Sequence, residues 1–116
     1  MCIRDSPYVA TWLLGPDGQT SARLAAEDIV LFNDMIGGAY RRFGARVADV
    51  GKAFASADIT PIVDSPIFGQ VPIAVARICQ WTWVCAPAPI GPDVHGNTEG
   101  YGVMADVFYR AINASR

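Results

Sequence analysis

The feature that most constrains this chain is one long apolar stripe. Ala25, Ile29, Phe32, Ile36, Ala39 and Phe43 follow one another at steps of 4, 3, 4, 3 and 4. That spacing puts side chains on one face of an α-helix. It predicts a helix from about Ser21 to Phe43, with Ser21 as N-cap and Phe32, Ile36 and Phe43 in the core. Glu27 and Asp28 lie toward its start, and Arg41 and Arg42 in its last turn before Gly44, an order that suits the helix dipole. Gly37-Gly38 weakens such a helix by roughly 1 kcal/mol per glycine relative to alanine, so close packing against a neighbour is expected there. Ala45-Arg46-Val47-Ala48-Asp49-Val50 then reads as a short strand. Helix, glycine, strand is the second half of a β-α-β unit, so an α/β class with a parallel sheet is expected. A parallel strand needs neighbours on both sides and cover on both faces, and the sequence offers no second comparable strand.

The remaining elements are shorter. Pro7 to Leu14 reads as a short helix with proline in its first turn, stopped by Gly15-Pro16-Asp17-Gly18. Lys52 to Ser56 suggests a helical turn. Ile59 to Val71 reads as loop or hairpin, punctuated by Thr60-Pro61, Ser65-Pro66 and Phe68-Gly69. Ile73 to about Trp83 reads as a helix. Asn97 is placed to cap a helix from Thr98 to about Asn113, with Tyr101, Met104, Ala105, Phe108 and Ile112 as its apolar face and Glu99 in its first turn.

Met1-Cys2-Ile3-Arg4-Asp5-Ser6 has no apolar run of the signal-peptide kind. It is similar to one translated frame of a transposase adapter used in sequencing libraries. Residues 1–6 are therefore expected to be adapter-derived and non-native. The native chain is expected to start near Pro7, with its true upstream part missing. The domain proper is 7–116.

Composition narrows the function classes. A chain of 116 residues, 52% apolar and 17% charged, forms one domain at most and has the material for a core. A net charge of −2 without a basic run gives nucleic-acid binding little support. No apolar stretch approaches the roughly 18 residues of a membrane span.

Setting Cys2 aside, two cysteines remain, in Cys79-Gln80-Trp81-Thr82-Trp83-Val84-Cys85. Such a pair fits a local disulfide, a metal pair or two buried thiols. Zinc wants about four ligands at tighter spacing, and the chain has one histidine. In a continuous helix six residues rise about 9 Å, beyond the roughly 7 Å over which a disulfide reaches. A disulfide therefore requires the chain to reverse after about Trp83, and Pro87 and Pro89 are consistent with that. The disulfide is the favoured reading, and it implies an oxidising compartment. Trp81 and Trp83 are expected to pack around it.

The one histidine, His95, sits in Gly91-Pro92-Asp93-Val94-His95-Gly96-Asn97. Imidazole is the side chain best suited to proton transfer near neutral pH, and Asp93 lies two residues before it. In an extended segment such positions project to the same side, so Asp93 is a candidate to orient the ring; a backbone carbonyl is the other. Ser65 in Asp64-Ser65-Pro66 and Ser6 in Asp5-Ser6 read as ordinary loop serines.

Asp93-Val94-His95-Gly96-Asn97, running into Thr98-Glu99-Gly100-Tyr101 and an amphipathic terminal helix, resembles the last conserved block of the SGNH (GDSL-type) esterases and lipases. The segment Ala76 to Cys85, with Pro87 and Gly91-Pro92 before the histidine, is similar to a cysteine-bracketed Trp-Thr-Trp segment in secreted bacterial members. Pro7 to Gly15 and Val47 to Val50 also fit that subgroup, so the likeness covers nearly all of Pro7 to Ile112.

The resemblance implies the C-terminal portion of a three-layer α/β/α sandwich on a parallel sheet (the flavodoxin-like SGNH fold) and an extracellular location. It implies serine-dependent hydrolysis of a small-molecule or lipid ester without a cofactor or metal. By that likeness His95 is the general base and acid. The family's usual acid lies three residues before the histidine, where this chain has Pro92, so the acid role passes to Asp93. The family's Gly-Asp-Ser nucleophile and its oxyanion-hole Gly and Asn have no counterpart here, so the chain alone is expected to be inactive. Two other readings stand beside it: a small secreted binding or structural module stapled by Cys79–Cys85, and a thiol hydrolase using Cys85 with His95.

Overall fold

A computed structural model describes residues 3–114, with side chains from Tyr8 onward. Met1 and Cys2 of the adapter-like hexapeptide, and Ser115 and Arg116 at the end of the expected domain, lie outside the described residues. A 3₁₀ helix, Ile3–Leu14, leads into α1 (Pro16–Arg42) and the short α2 (Val50–Ala53). The hairpin β1 (Ile62–Ser65) and β2 (Gly69–Pro72) follows, then α3 (Ile73–Trp81) and α4 (Thr98–Asn113). The fold is mostly helical, and its sheet is two-stranded and antiparallel, pairing Ile62 with Pro72 and Ser65 with Gly69. The expected parallel-sheet α/β/α sandwich is therefore incorrect. Among the described residues no helix is long and apolar enough to cross a membrane.

The correction centres on Ala45 to Val50, which forms no strand. Asp49 accepts a hydrogen bond from the Lys52 backbone N–H at 2.9 Å and so caps α2, of which Val50 is the buried first residue. The preceding residues are irregular, and Arg46 turns its guanidinium onto the last carbonyls of α4, those of Ala111 and Ile112. A charge at that helix end meets the negative pole of the dipole. Alternating apolar residues satisfied a strand pattern, but a strand also needs a partner for its backbone groups. Between Ile59 and Val71, of the loop and hairpin readings, the hairpin is what forms.

α1 begins earlier than its apolar spacing predicts. Gly15 takes φ 91°, a region open to glycine, and Pro16 starts the helix with its fixed φ. Gly18 lies against the carbonyl of Thr11, so the helix folds back closely on the 3₁₀ segment. The expected stop signal is thus a turn and a start. Ser21 is no cap; inside the first turns, its hydroxyl donates to the Asp17 carbonyl at 3.1 Å.

The core is Val9, Ala26, Ile29, Val50, Phe54, Ala74 and Ile78, with Trp81, Val84, Val103, Met104 and Val107 packed against it. α1 contributes Ala22, Ala26 and Ile29 and then outruns the body. Its 27 residues measure about 40 Å, close to the longest dimension of the molecule, 44 Å. Phe43 at the far end is 90% exposed, Phe32 is exposed and Ile36 half-buried, so the three do not form the core expected of them. Gly37 is buried beside the Arg41 guanidinium of its own helix, whereas Gly38 has nothing within 4 Å of its Cβ position, so no neighbouring element closes on Gly38. α4 forms with the expected bounds but is rotated. It buries Gly100 and turns Val103, Met104 and Val107 inward, whereas Tyr101, Phe108 and Ile112 are exposed.

Candidate functional site

The site is built on the turn between α3 and α4. α3 stops at Trp81, two residues short of its expected end, because Thr82 swings to an extended conformation. The buried Thr82 hydroxyl donates to the Ile78 carbonyl at 2.6 Å and accepts from the Val84 N–H at 3.2 Å. One side chain thus closes the helix and starts the return. The reversal lets Cys79 and Cys85 join as a disulfide across a Cα–Cα distance of 5.0 Å. Of the three states open to that pair, the structure has the disulfide, and with Cys85 Sγ so occupied the thiol-hydrolase reading falls. Trp81 is packed against the hydrophobic core. It packs edge-on against Phe54, ring centres 5.0 Å apart, with the Arg77 guanidinium over its face. Trp83 is partly exposed.

The returning strand of the loop is laced to the outgoing one. Thr82 and Gly96 form an antiparallel bridge. The Trp83 N–H donates to the His95 carbonyl at 3.0 Å, and the Trp83 carbonyl accepts from the Asp93 N–H at 3.1 Å. Both ends of Asp93-Val94-His95 are therefore held by the single residue Trp83. Asn97 anchors the far side: its Nδ2 donates to the Gln80 carbonyl at 2.7 Å, and its Oδ1 accepts from the Gly100 N–H at 3.0 Å as the cap of α4. The Asn97 N–H donates to the Trp81 carbonyl at 3.0 Å. The peptide bonds Ala88–Pro89 and Gly91–Pro92 in this loop are cis.

Within that frame Asp93 and His95 meet. One carboxylate oxygen, Asp93 Oδ1, accepts from the His95 backbone N–H at 2.8 Å and lies 2.5 Å from His95 Nδ1. The backbone N–H first, and then the imidazole, hold the Asp93 carboxyl below its ordinary value of 3.8. An ionised carboxylate only accepts, so the proton of the neutral ring sits on Nδ1. Nε2 is left with its lone pair free, on a side chain that is 72% exposed. Chemically this is an oriented base facing solvent.

The other candidates are elsewhere. Ser65 Oγ accepts from the Ile67 and Phe68 N–H groups at 3.4 and 3.3 Å, as part of the hairpin turn. Ser56 Oγ is buried and donates to the Gly51 carbonyl at 3.2 Å. Among the described residues no serine or cysteine is hydrogen-bonded to His95, and no group of three metal-ligating side chains forms. The two largest cavities described, about 500 and 400 Å³, lie along α1 and include no residue of the His95 loop. Sequence reasoning did not find Thr82 or Trp83; a threonine directly after a helix, able to bond back to it, was the available signal.

Comparison with family models, with curated proteins and with solved structures finds no match.

Proposed function

We propose that Asp93 and His95 are the base end of a serine-dependent carboxylic ester hydrolase of the SGNH type. The nucleophilic serine and oxyanion donors come from residues outside this chain. The observation that carries this reading is the 2.5 Å contact of Asp93 with His95 Nδ1, which turns Nδ1 to the carboxylate on a side chain that is exposed to solvent. In such a site the serine hydroxyl gives its proton to His95 Nε2 as its oxygen attacks the ester carbonyl. The proton then passes to the departing alcohol, and water removes the acyl group by the same route reversed. Asp93 stabilises the imidazolium that forms between the two transfers. The substrate class is a small-molecule or lipid ester, and the disulfide fits an extracellular enzyme. The proposal rests on the loop and its sequence, not on the fold.

The test is a longer chain read from the DNA upstream of the Pro7 codon. It is expected to add a Gly-Asp-Ser block and to hydrolyse a short-chain aryl ester. His95→Ala then lowers kcat by a factor on the order of 10⁴ or more, and an unchanged rate refutes the assignment. The 116-residue chain alone is expected to show no serine-dependent turnover.

A second reading, a secreted binding module stapled by Cys79–Cys85, is favoured by the exposed apolar side chains of α1 and α4. An in-frame start codon and signal peptide directly before Pro7 support it over the esterase.

A further inference from the structure

α1 carries a second heptad-spaced line, on the side away from the core. Leu24, Asp28, Leu31, Met35, Gly38 and Arg42 follow at steps of 4, 3, 4, 3 and 4. At about 100° per residue they lie opposite Ala22, Ala26 and Ile29. Leu24, Leu31 and Met35 are 59%, 68% and 63% exposed. Among the described residues neither Asp28 nor Arg42 is in an ion pair. Gly38 has nothing within 4 Å of where a Cβ would sit, although glycine weakens a helix by about 1 kcal/mol relative to alanine. The folded chain gives no packing reason for a glycine there.

We propose that this face pairs with the same face of a second copy of the chain, as an antiparallel two-fold α1–α1 coiled coil centred near Asn33. The charge order selects the direction. In a parallel pair Asp28 meets Asp28 and Arg42 meets Arg42, both repulsive. In the antiparallel pair Leu31 of each copy packs on Met35 of the other, in the a-to-d layering such coils use. Asp28 stands opposite Gly38 of the second copy, where the absent side chain leaves room. Arg42 runs along Leu24 of the second copy and reaches its Asp28 one turn away. Glu27 lies along one edge, whereas the Arg41 guanidinium is turned back over Gly37 of its own helix. Phe32 meets its own copy on the other edge, beside the apolar hollow of about 400 Å³ that Tyr8 and Ile29 help to line. Asp34 meets its own copy near the axis, a repulsion between exposed carboxylates that salt screens.

The test is sedimentation velocity on the full chain at rising concentration, with Cys2 replaced by serine so that no intermolecular disulfide contributes. A reversible monomer–dimer equilibrium is expected. Arg42→Asp weakens it by about tenfold, as lost and reversed exposed charge pairs do, and adding Asp28→Arg to Arg42→Asp restores it. Met35→Asp abolishes the dimer while far-UV circular dichroism stays unchanged. A chain that remains monomeric at millimolar concentration overturns the proposal. So does a dimer indifferent to Met35→Asp, or a charge swap that does not restore association. A monomer that binds phosphatidylcholine vesicles through Leu31 and Met35 overturns it as well.

Discussion

Gly100 and Gly102 sit two residues apart in α4, and the same substitution at each is expected to act in opposite directions. A Cβ on Gly100 would lie 2.0 Å from the carbonyl oxygen of Trp81 and 3.0 Å from its carbonyl carbon. Both are backbone atoms of the last residue of α3. That oxygen also accepts the Asn97 N–H. Relief therefore means moving the first turn of α4 off α3, together with the Asn97 bonds that hold the His95 loop. Overpacking of this kind costs about 1–3 kcal/mol, and the helix preference of alanine offsets up to about 1 kcal/mol of it. Gly100→Ala should destabilise by up to about 2 kcal/mol after the full offset. Gly102 has nothing within 4 Å of its Cβ position, so Gly102→Ala keeps only the helix term and should stabilise by up to about 1 kcal/mol. Urea unfolding of both variants and the parent reads this directly: the midpoints move apart while the slope is unchanged. At roughly 4–8 °C per kcal/mol, melting temperatures of the two variants should differ by about 10 °C. Gly100→Ala at or above parent stability, or both variants moving the same way, refutes the close α3–α4 approach.

Three further outcomes follow from the same loop. Asn97→Ala removes the cap bond to Gly100 and the tie to Gln80, and thermal unfolding should show a loss of about 1–2 kcal/mol. Reducing Cys79–Cys85 opens a loop of sequence separation 6 and should cost about 2 kcal/mol by chain entropy, read as a shift in urea midpoint with and without reductant. The Asp93 carboxyl, followed by carbon NMR, should titrate below 3.8. The sign follows: a lowered native value adds stability at higher pH and loses it as pH falls through that value, so the effect belongs to the acid limb. His95→Ala should leave much of this shift in place, because the backbone N–H of residue 95 is its first cause.

What was legible in the sequence was local. The cap-and-stripe signature of Asn97 and α4 needs only its own residues, and it forms with the expected bounds. The reversal after α3 also followed from local arithmetic, since a disulfide at that spacing and a continuous helix exclude each other. Tertiary choices were not legible. α1 has apolar residues on more than one side, and the 4-3 stripe through Phe32, Ile36 and Phe43 was the more regular. The buried line instead runs through the small residues Gly18, Ala22 and Ala26, which let the 3₁₀ segment approach. Ala45 to Val50 looked like a strand because alternation is visible in one segment, whereas a pairing partner is not. Asp93 and His95 were visible as neighbours, but the backbone of Trp83 that gathers them was not.

The bridge between Thr82 and Gly96 has an evolutionary consequence. The chain between those two residues closes as a loop, tied back to α3 by Cys79–Cys85 and to the core by Val84, and its tip around Pro87 to Ile90 is exposed. Lengthening such a loop is cheap, about 0.6 kcal/mol for each doubling of its length. The Trp83, Asp93 and His95 contacts lie at the neck, so residues can be inserted or exchanged at the tip without moving the imidazole. The loop thus separates a part that must stay constant for the base to be oriented from a part free to vary in what it presents beside it.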